Sequence, residues 1–147
     1  MSEEDPAVVL LLDEVTEEVT SSVKRQKVAL GGGVRIAPMV FTLSTDAVTV
    51  TPLDVADFRH RFAVIGGIVK RYNANAFLFL WDGWIDRNVA GQIARTDAIL
   101  SVRMASTGYS VAQADPYSYT VFSGLLYQPA EFRPDIVGAY RDVWYHQ

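Results

Sequence analysis

The chain of 147 residues contains no cysteine, and this absence excludes several kinds of chemistry. Disulfide bonds, thiolate nucleophiles, iron–sulfur clusters and cysteine-ligated zinc all require cysteine side chains. Histidine is scarce as well, because only His60 and His146 occur. His60 is predicted on the polar face of a helix and His146 is the penultimate residue, so neither indicates histidine-based catalysis. No metal-binding motif is present, and no cofactor is predicted.

The chain also lacks a long apolar run and a basic amino terminus. The apolar run nearest the start, Ala7–Leu12, is far too short to cross a bilayer. Residues Met1–Asp5 are acidic, whereas a secretory signal begins with basic residues. Together with the absence of cysteine, these features predict a cytoplasmic protein with no membrane partner.

Basic residues are missing from the first 20 positions, which hold seven acids, whereas the rest of the chain has 13 basic and 10 acidic residues. The net charge is −4 overall and +3 without this acidic segment. The acids predict either a solvated helix face or a segment that covers a mildly basic body or mimics an acidic partner. Since no basic stripe is present, the charge pattern argues against a nucleic-acid partner.

Hydrophobic periodicity predicts one α+β domain over residues 1–147, with two long helices and a short C-terminal helix packed on a mainly antiparallel sheet. The first helix covers about 5–27 with Asp5 as its N-cap, and the second begins at Thr51–Pro52. The run Ala76–Trp81 is apolar on both faces and therefore predicts a fully buried strand. The other predicted elements are strands at 34–43, 47–50, 99–104, 109–114 and 117–126, a polar connection or short helix at 88–94, and a helix at 135–145.

Three aspartates stand where the buried strand ends and the next one begins. Asp82 and Asp86 follow the first strand and Asp97 precedes the second, so the acids converge if the two strands pair antiparallel. Carboxylates alone can bind Mg²⁺ or Mn²⁺, with Arg87 or Arg95 stabilising the charge that develops during hydrolysis. Alternatively, the acids mark turns and pair with arginines on the surface.

Tyrosine and tryptophan cluster near the C-terminus, where six of the seven tyrosines lie in the last 39 residues. Such side chains are enriched in contact surfaces, because each combines a large apolar body with a polar tip. The predicted contact residues are Trp84, Tyr117, Tyr119, Tyr140 and Trp144. Alternatively, these aromatics belong to a sheet face that the C-terminal helix covers.

Because the catalytic inventory is thin, the sequence favours a non-enzymatic interaction module that binds a protein partner or self-associates. Two alternatives remain open. One is a divalent-metal-dependent hydrolase that uses Asp82, Asp86 and Asp97. The other is a small-ligand-binding protein with a pocket lined by Phe79, Trp81 and Trp84 and made polar by Asp82.

Overall fold

The computed structural model describes residues 6–45 and 47–145. The predicted cap Asp5 and the penultimate residue His146 lie outside these ranges. The helices are α1 (Pro6–Ala29), α2 (Val55–Arg59), α3 (Arg61–Arg71), α4 (Pro134–Tyr140) and α5 (Asp142–Tyr145). The strands are β1 (Met39–Leu43), β2 (Val48–Pro52), β3 (Ala76–Val89), β4 (Gln92–Ala105), β5 (Ser110–Thr120), β6 (Gly124–Tyr127) and β7 (Glu131–Phe132).

The described strands form one antiparallel sheet in the order β2-β1-β3-β4-β5-β6, with β7 paired to β5. The chain is therefore a single α+β domain, as predicted. The hairpin of β3 and β4 forms the centre of the sheet. The two strands are paired along their whole length, from Ala76↔Ala105 to Val89↔Gln92. Short β1 pairs only with the first part of β3, from Leu43↔Ala76 to Met39↔Leu80.

Helix α1 lies against one face of the sheet. It buries Leu12 and Val23, which belong to clusters that include Leu78 and Leu80 of β3. Two ion pairs also join the helix to the sheet, from Asp13 to Arg103 and from Lys24 to Asp115, each at 2.7 Å. The acidic first helix therefore packs on its own sheet.

The remaining helices lie against the opposite face. Phe77 and Phe79 alternate with Leu78 and Leu80 along β3 and join the core cluster that contains residues of α3, α4 and α5. Because neighbouring side chains of a strand point to opposite faces, a strand covered on both sides must be apolar at every position. The prediction of a buried strand is confirmed for residues 76–80, whereas Trp81, the last residue of the predicted run, is only partly buried.

The predicted second long helix is divided at His60, and only α1 is long. The start of α2 also differs from the prediction, because Thr51–Pro52 completes β2. The cap is Asp54, whose Oδ1 accepts a hydrogen bond from the Asp57 N–H at 2.8 Å. Asp54 therefore satisfies one of the free amides of the first helical turn.

Two further predictions at the sheet are wrong. The segment predicted as a polar connection at 88–94 is the tip of the β3–β4 hairpin, where Ala90 and Gly91 both have positive φ and form the turn. Strand β5 continues through Asp115–Pro116 because Pro116 is the last residue opposite β4, and beyond it β5 pairs only with β6. The C-terminal helix is present but divided into α4 and α5.

Within the described ranges, no helix is both long and apolar enough for a membrane crossing.

Candidate functional site

The candidate site lies beside the start of β1. Met39 is the first residue of β1 and pairs with Leu80 of β3, and the preceding residue is Pro38, which has no N–H to donate to a strand ladder. Strand β1 therefore begins at Met39 and not at residue 34 as predicted, and it lies between β2 and β3. From Trp81 onward, β3 is paired with β4 on one side only within the described part of the chain.

A cleft of about 920 Å³ lies along this free stretch of β3 and is named here the Trp81 cleft. Four consecutive residues of β3, Trp81 to Trp84, line it. The segment 35–38 before β1, Leu53 and Asp54 after β2, and Phe58, Arg59 and Arg61 of α2 and α3 complete the lining. The site is therefore built from four stretches of chain that the sheet and the first two short helices bring together.

Trp81 is the largest apolar element of the cleft, and its orientation is supported on several sides. Its ring lies 4.9 Å from that of Phe79, 5.8 Å from that of Tyr140 and 6.4 Å from that of Phe58, measured between centroids. Gly83 leaves the space that the indole uses, since a Cβ at that position would lie 3.0 Å from Trp81 Nε1. Close packing on these sides presents Trp81 to the cleft in one defined orientation.

Asp82 is saturated with hydrogen bonds. Its carboxylate accepts from Lys27 Nζ at 2.7 Å, from Tyr117 Oη at 2.6 Å and from the Ile36 N–H at 3.1 Å. Arg35 Nη1 adds a longer contact of 3.3 Å. Burial raises the pKa of Tyr117 well above its ordinary value, and the neighbouring Asp82 raises it further, so this hydroxyl remains a proton donor. The carboxylate therefore acts here as an internal anchor between α1, the 35–36 segment, β3 and β5.

The antiparallel pairing expected of the two strands brings Asp82 and Asp97 into one cluster, but Arg35 occupies the space between them. Its Nη1 lies 3.3 Å from Asp82 and its Nη2 lies 3.0 Å from Asp97. Asp86 stands four residues, or about 13 Å, further along β3. No group of three or more metal-ligating side chains occurs among the residues described, so the predicted three-aspartate site is not assembled.

The two arginines predicted to support hydrolysis serve other contacts. Arg87 Nη1 donates to Gln128 Oε1 at 2.6 Å and its Nη2 lies 3.3 Å from Glu131. Arg95 lies over the ring of Trp84, 3.8 Å from its centroid. Arg95 stands opposite Asp86 in the ladder of β3 and β4, but its guanidinium lies over Trp84, and in the described part of the chain neither arginine forms an ion pair with Asp82, Asp86 or Asp97.

The predicted contact residues divide into buried and exposed sets. Tyr117 and Tyr140 are only 5% and 2% exposed and belong to the core of the chain, so their prediction as contact residues is corrected. Trp144 is half-buried against Phe77, with ring centroids 5.7 Å apart. Trp84 and Tyr119 remain 45% and 42% exposed. Most of the predicted aromatic residues near the C-terminus therefore pack in the core against the sheet, and only Tyr119 among them is exposed.

Sequence reasoning missed the basic side chains of the site, which are Lys27, Arg35, Arg59 and Arg61. A signal for Lys27 was present, because it continues the apolar stripe of Val19 and Val23 at a helical spacing of four. A charged residue on such a stripe requires a buried partner. The sequence gives no such indication for Arg59 and Arg61. They flank His60 in a segment that the sequence predicts to be a polar part of a helix.

Comparisons with known proteins add no relative to this geometry: no family model, no curated protein and no solved structure matches the chain.

Proposed function

We propose that this protein binds a small organic molecule in the Trp81 cleft. The observation that carries this proposal is the combination of a volume of about 920 Å³ with a lining that includes Phe58, Trp81 and Trp84. Small-molecule sites typically have about 300–1,000 Å³ and a mainly apolar lining with a few polar groups that orient the ligand. Leu53 and Pro38 add apolar surface, and the charged residues of the cleft supply the polar part.

The fold also supports a preformed site. Trp81 is packed against Phe58, Phe79 and Tyr140, and the main chain beside it is tied by the contacts of Asp82. A ligand that enters such a cleft pays little for ordering the protein, because the aromatic surface is already in place.

The proposal is tested with N-phenyl-1-naphthylamine, a neutral apolar fluorophore that accepts excitation energy from tryptophan. We expect saturable binding at one site, with energy transfer that falls in Trp81→Phe and Trp84→Phe variants. Trp144→Phe is the matched control, because Trp144 packs on Phe77 and does not line the cleft. Absence of saturable binding, or equal loss of transfer in all three variants, would contradict a ligand site at Trp81.

We propose self-association as a second function, supported by a different part of the surface. Residues 116–130 contain no charged side chain, and at the turn between β5 and β6 Val121 is 85% and Phe122 is 100% exposed. Leu126 and Tyr119 of the same hairpin are also exposed. An exposed uncharged apolar tip favours contact with another protein surface, and a second copy of the chain is the occupant proposed here.

Native mass spectrometry and sedimentation of the wild type and of Phe122→Ser test this second proposal. We expect an oligomer for the wild type and a monomer for Phe122→Ser, with unchanged stability since Phe122 contributes no buried area. Val48→Ser is the matched control, because Val48 is an exposed apolar residue of the distant edge strand β2. A wild-type monomer at all concentrations would refute self-association.

A further inference from the structure

We infer that the ligand of the Trp81 cleft is an anion, in which an aromatic or other flat apolar body carries a carboxylate, sulfonate or phosphate group recognised by Arg61 and Arg59. This inference rests on the proposed small-molecule function and specifies the chemical class of the ligand.

Arg61 is a half-buried guanidinium that has no carboxylate partner among the described residues. Its Nε donates to Tyr140 Oη at 3.0 Å, and its Nη1 donates to the Phe58 carbonyl at 3.2 Å. The group lies 4.7 Å from the ring centroid of Phe58 and 4.6 Å from that of Phe62. Ring faces and neutral acceptors therefore hold the guanidinium in place, while its charge has no carboxylate counter-ion among the described residues and can pair with an anionic ligand.

Arg59 brings a second uncompensated charge to the same cleft. It is exposed and forms no ion pair with any carboxylate in the described part of the chain. Arginine is suited to planar anions, because its fork of N–H donors matches the oxygens of a carboxylate or phosphate. Two such groups two residues apart in sequence, and both lining one cleft, provide donors from neighbouring helices.

The acids that line the cleft are committed elsewhere. Asp82 is neutralised by the buried Lys27 and accepts from Tyr117 and Ile36. Asp54 caps α2 through the Asp57 N–H. Arg35 is likewise engaged with Asp82 and Asp97. The lining holds three arginines against two aspartates, so its net charge is positive beside the aromatic surface of Phe58 and Trp81.

The inference is tested with two fluorophores that share one ring skeleton. N-phenyl-1-naphthylamine is neutral, and 8-anilinonaphthalene-1-sulfonate adds a single anionic group to it. We expect the sulfonate to bind the wild type about tenfold more tightly or better, as a hydrogen bond to a charged group allows. Raising the salt concentration should weaken binding of the sulfonate and leave the neutral probe unchanged.

Variants assign the preference to the arginines. Arg61→Gln and Arg59→Gln should each reduce the affinity for the sulfonate several-fold while the affinity for the neutral probe changes less than twofold. Arg71→Gln is the matched control, because Arg71 is an exposed arginine at the end of α3 that does not line the cleft. Arg59 is exposed, so its variant reports on recognition even if Arg61→Gln disturbs the packing of Phe58 and Phe62. Phe122→Ser shows how much sulfonate binds at the exposed hairpin tip.

The outcomes separate this inference from the proposed function. Saturable binding of both probes with equal affinity, unaffected by Arg59→Gln and Arg61→Gln, would overturn anion recognition and leave the ligand cleft intact. Failure of both probes to bind near Trp81 would refute the cleft itself. A preference for the sulfonate that Arg71→Gln abolishes as fully as Arg61→Gln would place recognition outside the cleft and also overturn the inference.

Discussion

The Nζ atom of Lys27 lies 2.7 Å from Oδ2 of Asp82, and the two side chains are 1% and 0% exposed. Lys27 also donates to the Val34 carbonyl at 2.6 Å, and the ring of Tyr117 lies 4.8 Å from its ammonium group. This buried pair joins the last turn of α1 to the centre of β3, directly beside the Trp81 cleft. Stability and the candidate site therefore depend on the same carboxylate.

Removing one partner of this pair should be strongly destabilising. Lys27→Met leaves the Asp82 charge buried without its ammonium partner, and such a change typically lowers the free energy of unfolding by about 3–5 kcal/mol. The double variant Lys27→Met with Asp82→Asn should lose less, because the amide is neutral, its oxygen can accept from the Ile36 N–H, and its NH₂ group can donate to the Tyr117 hydroxyl. Urea unfolding of the three proteins measures the difference.

Lys70→Met is the control for this series, because Lys70 is exposed on α3 and forms no ion pair among the described residues. It should change the free energy of unfolding by no more than about 0.5 kcal/mol. A similarly small effect for Lys27→Met would mean that solvent reaches Asp82, and the pair would then lose its assigned role as the anchor of α1.

A second prediction concerns the end of α1 and its contact with the β5–β6 hairpin. The Gly31 N–H donates to the Val28 carbonyl at 3.0 Å and the Gly32 N–H donates to the Lys27 carbonyl at 2.9 Å. These two bonds form a Schellman C-cap, in which the residue after the helix has positive φ. Gly32 itself has φ +82°, and a Cβ there would lie 2.7 Å from the ring of Tyr119.

Gly32→Ala should therefore be more destabilising than Gly31→Ala. Positive φ alone disfavours a side chain by about 1–2 kcal/mol at either position, but only Gly32 adds crowding, for which about 1–3 kcal/mol is typical. In a Tyr119→Ala background the ring contact disappears and only Leu125 Cβ, 3.2 Å away, still crowds the new side chain, so the loss at Gly32 should fall towards that at Gly31. Equal losses in both backgrounds would show that Tyr119 can move away without penalty.

Much of this fold could be predicted from periodicity. The long first helix, the hairpin of β1 and β2 and the buried first part of β3, residues 76–80, all follow from the spacing of apolar residues. The wrong predictions concern segments whose local sequence is compatible with two different structures. Asn88–Ala94 is polar because it forms an exposed hairpin tip, and Pro116 is tolerated in β5 because pairing with β4 ends there.

The site could be predicted only in part. The sequence predicts one pocket lined by Phe79, Trp81 and Trp84 and made polar by Asp82. Trp81, Asp82 and Trp84 do line one cleft, whereas Phe79 is fully buried beneath it. Arg59 and Arg61 could not be identified, since their role depends on the packing of α2 and α3 beside β3. Whether a surface-like arginine has a carboxylate partner is a tertiary property, and the periodicity of one helix contains no information on it.

A third prediction compares two glycines. A Cβ at Gly83 would lie 3.0 Å from Trp81 Nε1 and 3.1 Å from Leu100 Cδ1, so Gly83→Ala must displace one of them. We expect a loss of about 1–3 kcal/mol, a shift of the tryptophan emission and weaker binding of N-phenyl-1-naphthylamine.

Gly67→Ala should have the opposite effect on stability. Gly67 is exposed inside α3, and nothing lies within 4 Å of a Cβ built there. Alanine is favoured over glycine in a helix, so a gain of about 0.5–1 kcal/mol is expected, with emission and probe binding unchanged. If Gly83→Ala were equally harmless, Trp81 would not depend on that space for its orientation.

The last prediction concerns alkaline pH. Burial, together with the negative charges of Asp82 and Asp115, raises the pKa of Tyr127 from 10.0 to about 12. Between pH 10 and pH 12 the folded chain therefore keeps a phenolic proton that the unfolded chain releases, so the free energy of unfolding falls as pH rises through this range. The stability that Tyr127 contributes is fully present below pH 10 and is lost above pH 12.

Urea unfolding at pH 8, 10 and 11 should show this fall for the wild type and a smaller one for Tyr127→Phe, because Tyr117 retains its own raised pKa. At pH 8 the two proteins should differ little, since the variant loses only a long hydrogen bond of 3.3 Å to the Lys24 carbonyl. An identical alkaline fall in both proteins would show that Tyr127 titrates alike in the folded and unfolded states.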